Sequence, residues 1–97
     1  MKTINSFCLK NTGWFIARIR VKSQSGATVT CGDIVKGTWR AVNLYRYGGL
    51  FKDGDIVWLE VDVVGGKDKK SNKKFIYRED SHAIANYAIS GTTLINK

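Results

Sequence analysis

Lys67, Lys69, Lys70, Lys73 and Lys74 put five ammonium groups into eight residues, directly after the most apolar run of the chain, Ile56 to Val64. Concentrated positive charge at a strand end suits an anionic partner: a lipid headgroup, an acidic sugar or a phosphate backbone. Gly65-Gly66 opens the segment, so 65–74 reads as a cationic loop delivered by the strand before it. The plain alternative is a solvated hairpin tip.

A second basic set comprises Arg18, Arg20, Lys22, Arg40 and Arg46, the last two close to Trp39, Tyr45 and Tyr47. Basic residues interleaved with aromatics hold single-stranded nucleic acid by stacking and charge. Against this, no RNP motif, zinc finger or groove-entering helix is found, and cross-strand ion pairs explain such a face equally well. Trp14 sits beside a turn and Trp58 on the polar side of its strand. Either can stack on a sugar ring or lie in a membrane interface, or can pack under a neighbouring loop.

Catalytic constellations are weak. Ser81 and His82 follow Glu79 and Asp80, but triad members are assembled by the fold and not by adjacency, so a polar turn is expected. Asp53 and Asp55 around Gly54 are turn residues, too few for a calcium loop. No phosphate loop or nucleophile elbow occurs. Cys8 and Cys31 with the lone His82 make a poor metal set. They are expected to be buried thiols, or one disulfide if the protein is exported. The chain therefore reads as a binding protein, not an enzyme, without metal or cofactor.

The elements that must position these residues show period two. Phe15, Ala17, Ile19 and Val21 alternate with Arg18, Arg20 and Lys22; Val57, Leu59, Val61 and Val63 alternate with Trp58, Glu60 and Asp62. Such alternation marks half-buried strands. The opposite signs predict that Glu60 and Asp62 face Arg18 and Arg20 across neighbouring strands. Further strands are expected near Thr3–Leu9, Ala27–Cys31, Thr38–Arg46, Lys74–Glu79 and Ile84–Ser90. The expectation is one all-β domain over residues 1–97: a small antiparallel β-sandwich, immunoglobulin-like, of about seven strands. A closed barrel is the rival.

With 16 basic and 8 acidic residues the chain carries a net charge of +8 and 43% hydrophobic residues, a folded domain with an appetite for anions. No apolar run approaches the roughly 18 residues of a membrane span, and Met1–Cys8 lacks a signal-peptide core. The expectation is a soluble chain, either cytosolic or a mature secreted form with an added Met.

Three segments in order resemble the C-terminal β-sandwich domain of cholesterol-dependent (thiol-activated) cytolysins. They are Asn11-Thr12-Gly13-Trp14-Phe15-Ile16-Ala17-Arg18, Asp55-Ile56-Val57-Trp58-Leu59-Glu60-Val61 and Ala88-Ile89-Ser90-Gly91-Thr92-Thr93-Leu94. The resemblance implies that Thr93 and Leu94 match the pair with which that family recognises membrane cholesterol, and that they share one end of the sandwich with the loop after Val64. It departs at that loop, where the family carries a cysteine and several tryptophans and this chain carries lysines. It departs again after Leu94, where the family continues into another strand. A missing strand would leave a sheet edge for a homodimer contact.

The expected function is recognition of an anionic, sterol- or glycan-bearing membrane surface through Lys67, Lys69, Lys70, Lys73, Lys74, Thr93 and Leu94, with Trp14 and Trp58 as possible aromatic contacts. A nucleic-acid-binding β domain, or a small secreted toxin or effector acting on a protein, is the alternative.

Overall fold

The computed structural model describes residues 1–91 and 93–97. Nine strands follow one another: β1 (Thr3–Ile4), β2 (Ser6–Asn11), β3 (Ala17–Ser23), β4 (Thr28–Ile34), β5 (Trp39–Asn43), β6 (Ile56–Val63), β7 (Lys69–Tyr77), β8 (Ile84–Ser90) and β9 (Thr93–Asn96). A single 3-10 turn, Leu44–Arg46, follows β5. The strands form two packed sheets, a five-stranded one in the order β1-β7-β6-β3-β4 and a four-stranded one in the order β5-β2-β8-β9.

The alternation read from the sequence is the reason the sheets stick. Ile19, Val21, Leu59 and Val61 from the first sheet meet Phe7, Leu9, Val42 and Ile89 from the second, all essentially without solvent contact. Each such aliphatic side chain contributes about 1.5–3 kcal/mol by leaving water. Phe7 anchors the middle, edge-on to Phe75 at 5.7 Å and tilted against Tyr87 at 6.3 Å. The sheets are also joined by a polar bond: the Ser71 and Tyr87 hydroxyls lie 2.7 Å apart in the interior.

The outer face of the five-stranded sheet is the expected charge ladder. Arg18 stands opposite Asp62 and Arg20 opposite Glu60 in the β3–β6 register. Arg18 Nη1 lies 3.9 Å from Asp62 Oδ2, and Arg20 Nη1 lies 3.5 Å from Glu60 Oε1. Lys22 Nζ reaches Glu60 at 3.6 Å. Arg18 Nε also donates to Asp33 Oδ1 at 2.8 Å, and that hydrogen bond holds the Asp33 carboxyl below its ordinary range.

Several expectations need correction. The sandwich is mixed, not antiparallel, and has nine strands, not seven: β1 runs parallel to β7, and β2 parallel to β8. Both parallel pairs arise from one event. The single strand expected over Thr3–Leu9 breaks at Asn5 and changes sheets, because Asn5 gives its N–H to Ala83 O and its C=O to Leu44 N–H instead of to a ladder. The strand expected from Lys74 begins at Lys69. Thr93 and Leu94 lie on a strand that was not expected, β9, antiparallel to β8 with Leu94 opposite Ile89. Cys8 and Cys31 are free, half-buried thiols in different sheets; Cys31 Sγ lies 3.2 Å from the Tyr47 hydroxyl.

Tyr87→Phe is expected to lower stability by about 1–3 kcal/mol, because the buried Ser71 hydroxyl loses its partner. Adding Ser71→Ala should recover part of that loss. Urea denaturation of the three proteins checks both statements, and an unchanged Tyr87→Phe midpoint would remove this bond from the account.

Candidate functional site

Four connections meet at one end of the sandwich: residues 12–16 after β2, 35–38 after β4, 64–68 after β6, and the turn at Gly91 between β8 and β9. Asn11, the last residue of β2 and fully buried, ties the first two. Its Nδ2 donates to Phe15 O at 2.6 Å and to Ile34 O at 2.9 Å, and its Oδ1 accepts from Gly13 N–H at 2.8 Å. Its own N–H donates to Thr38 O and its carbonyl accepts from Gly37 N–H. Thr12 continues the bracing by donating its N–H and its hydroxyl to Ile89 O, and Val64 N–H donates to Ile16 O. An amide is the one side chain that supplies both donors and an acceptor at that length.

Gly13 is required by packing. A Cβ there would overlap the Phe15 ring, which folds back over it. With Phe15 turned inward against the core, Trp14 is driven outward and is 89% exposed. Lys36 Nζ rests 3.7 Å from the Trp14 ring centroid, a cation–π contact that braces the indole from one side. Ile16, Val35 and Val64 add further exposed apolar surface at this end.

Between these connections lies an open cleft of about 430 Å³, lined by Trp14, Phe15, Val63, Val64, the Gly65-Gly66 turn, Lys67, Lys69 and Gly91. Gly65 makes the turn at φ +77°, a conformation that side chains rarely adopt. Among the described residues no carboxylate lines the cleft. Asp68, the nearest acid in sequence, lies 3.7 Å from Arg20 on the neighbouring sheet face. The site is therefore cationic and aromatic with apolar walls, suited to holding an anionic group beside an apolar or ring-shaped one.

The lysines do not form the cationic loop expected over 65–74. The connection is only residues 64–68, and Lys69, Lys70, Lys73 and Lys74 belong to β7. Lys67 and Lys69 line the cleft. Lys70 and Lys74 turn onto the sheet face, with their ammonium groups 5.5 Å and 4.9 Å from the Trp58 ring centroid. Trp58 stands on the polar face as expected, but away from the cleft, and its Nε1 donates to Glu60 Oε2 at 3.1 Å. Thr93 is exposed and Leu94 packs partly against the core, both on β9. Gly91, two residues before Thr93, lines the cleft with Lys67 and Lys69, and β9 runs in contact with β7.

The second basic set is dispersed. Trp39 and Arg40 begin β5 near the loop end, whereas Tyr45 and Arg46 occupy the 3-10 turn beyond the opposite end of β5. Arg46 caps Tyr45 at 5.9 Å, and the Tyr47 hydroxyl is engaged by Cys31. Asp53 Oδ1 accepts from Glu79 N–H and Asp55 Oδ2 from Lys52 N–H, both as turn residues. The Ser81 hydroxyl is held by Ala83 N–H and Thr3 O.

Ile16, Val35, Lys36 and Val64 were missed. The signal was present: Phe15-Ile16, Ile34-Val35 and Val63-Val64 are adjacent apolar pairs. Where a strand of period two ends in such a pair, one member has no core to enter.

Comparison with protein-family models, with curated proteins and with solved structures gives no match. Among the described residues no helix is long and apolar enough to cross a membrane.

Asn11→Asp is expected to cost about 2–3 kcal/mol or more, since the carboxylate offers no donor to Phe15 O and Ile34 O and brings a charge into a dry site. Thermal denaturation measures the loss. A variant melting with the parent protein would mean the amide is not what holds these connections.

Proposed function

We propose that the protein is a non-catalytic binding module that docks its loop end onto an anionic membrane surface. The observation that carries this reading is Trp14, 89% exposed beside an acid-free cleft that holds Lys67 and Lys69, with Lys36 against its ring. An indole on a braced loop is suited to the headgroup region, where its ring leaves water and its N–H keeps polar company. Three lysines close to an acidic leaflet add about 1 kcal/mol each. Ile16, Val35 and Val64 supply apolar surface that can accompany the indole. The resemblance to the cytolysin terminal domain supports the same end of the molecule, with Thr93 and Leu94 beside the cleft for a sterol or another discrete ligand.

Flotation with vesicles of phosphatidylcholine alone, with phosphatidylserine, and with added sterol tests the reading. The protein should float with the acidic vesicles, and both Trp14→Ala and the pair Lys67→Gln/Lys69→Gln should weaken binding at least about fivefold. Failure to float on acidic vesicles, or parent-like binding by both variants, would overturn it. Thr93→Ala/Leu94→Ala should lower binding on sterol vesicles alone; equal loss on sterol-free vesicles would remove the sterol contact.

A further inference from the structure

The charges of the five-stranded sheet are segregated. All its ion pairs gather around β3: Arg18 with Asp33 and Asp62, Arg20 with Glu60, Asp62 and Asp68, and Lys22 with Glu60. Among the described residues, Lys67, Lys69, Lys70, Lys73 and Lys74 take part in none of these ion pairs. The acids that could neutralise them are already committed to β3.

These lysines also lie along an open edge. β1 pairs with Ile76 and Tyr77, so among the described residues β7 has no hydrogen-bonded strand on that side from Lys69 to Phe75. An irregularity sharpens the edge: Trp58 pairs with Lys74 and Glu60 with Lys70, so Ser71, Asn72 and Lys73 stand opposite Leu59 alone. The result is two cation pairs astride the edge. Lys70 and Lys74 lie on the sheet face, while Lys69 and Lys73 turn the other way into two hollows. Lys69 lines the cleft of about 430 Å³ at the loop end. Lys73 lines a second hollow of about 200 Å³, shared with Lys2, Lys97 and Asn96 between the two sheets. Among the described residues no Asp or Glu lines either hollow. Lys70 and Lys74 flank one ring, 5.5 Å and 4.9 Å from the Trp58 centroid, while Lys69 and Lys73 mark two separate hollows.

We infer that this edge is a second binding site, distinct from the membrane-docking end, which takes a linear acidic polysaccharide along β7. Its sulfate or carboxylate groups are held by Lys70 and Lys74 on the sheet face and by Lys73 at the hollow it shares with Lys2 and Lys97, which extend the track. Cations on the sheet face and in a separate hollow round the edge fit a chain of repeated anionic groups better than a single headgroup. A single-stranded nucleic acid fits less well, since base stacking needs an open aromatic face. Trp58, the aromatic of this face, is flanked by two ammonium groups and its N–H is spent on Glu60.

The test is binding of a size-defined heparin fragment at fixed salt. Lys70→Gln/Lys73→Gln/Lys74→Gln should weaken it about a hundredfold, from roughly fivefold per lysine, without lowering the melting temperature. The corresponding three Lys→Arg changes should keep parent affinity. Lys10→Gln/Lys52→Gln/Arg78→Gln, equal in net charge, should lose far less, and Trp14→Ala should bind heparin as the parent does while failing on vesicles. Equal losses in the two Gln triples would show attraction to net charge alone and overturn the site. Tighter binding of oligothymidylate or polyglutamate than of heparin, at matched charge, would overturn the polysaccharide assignment.

Discussion

One buried amide organises the business end of this protein. Asn11 has no solvent contact, and its side chain and backbone together satisfy groups from residues 13, 15, 34, 37 and 38. Those groups belong to two connections that would otherwise present unpaired carbonyls and N–H groups to the interior, each costing about 1–3 kcal/mol. The geometry of Trp14 depends on this. With Phe15 O held by Asn11 and the Phe15 ring folded over Gly13, the neighbouring indole has only the outside to occupy. An exposed tryptophan is here the product of a rigid loop and not of a loose one, which lowers the entropy it loses on meeting a ligand.

Electrostatics adds a second layer of order. The chain has twice as many bases as acids, yet half of its acids, Asp33, Glu60, Asp62 and Asp68, are committed to Arg18, Arg20 and Lys22. The ladder on β3 and β6 is close to neutral, and the surplus lies on β7 and at the loop end. Exposed ion pairs of this kind contribute little to stability. Their larger effect is on the external field, which they confine to one edge and one end of the molecule.

The strands with strict alternation were legible. Ala17–Ser23 and Ile56–Val63 declared both their buried face and their partners, because a period of two leaves only one way to turn and opposite charges select the register. The run from Lys69 to Lys74 was not legible as strand. Its side chains say solvent, and it is ordered by backbone pairing to β6 and by Ser71 reaching Tyr87, neither of which leaves a hydrophobic signature. The break at Asn5 shows only as a slip of phase, from Ile4 to Phe7 and Leu9, which a run of a few residues does not make evident. For the site, the lysines and Trp14 were evident from composition. Lys36 was not, since a loop residue from β4–β5 comes to lie on the Trp14 ring only through the fold.

The passage of the chain through Asn5 has a consequence for how the protein is made. β1 and β2 emerge from the ribosome well before their parallel partners, β7 and β8. Of the opening strands, only β2 has an earlier partner, the antiparallel β5. Phe7 and Leu9 therefore stay without their parallel neighbour until Ile84–Ser90 has been made, and completion of the four-stranded sheet waits for it. Long-range pairing of this kind makes for slow, late, all-or-none maturation.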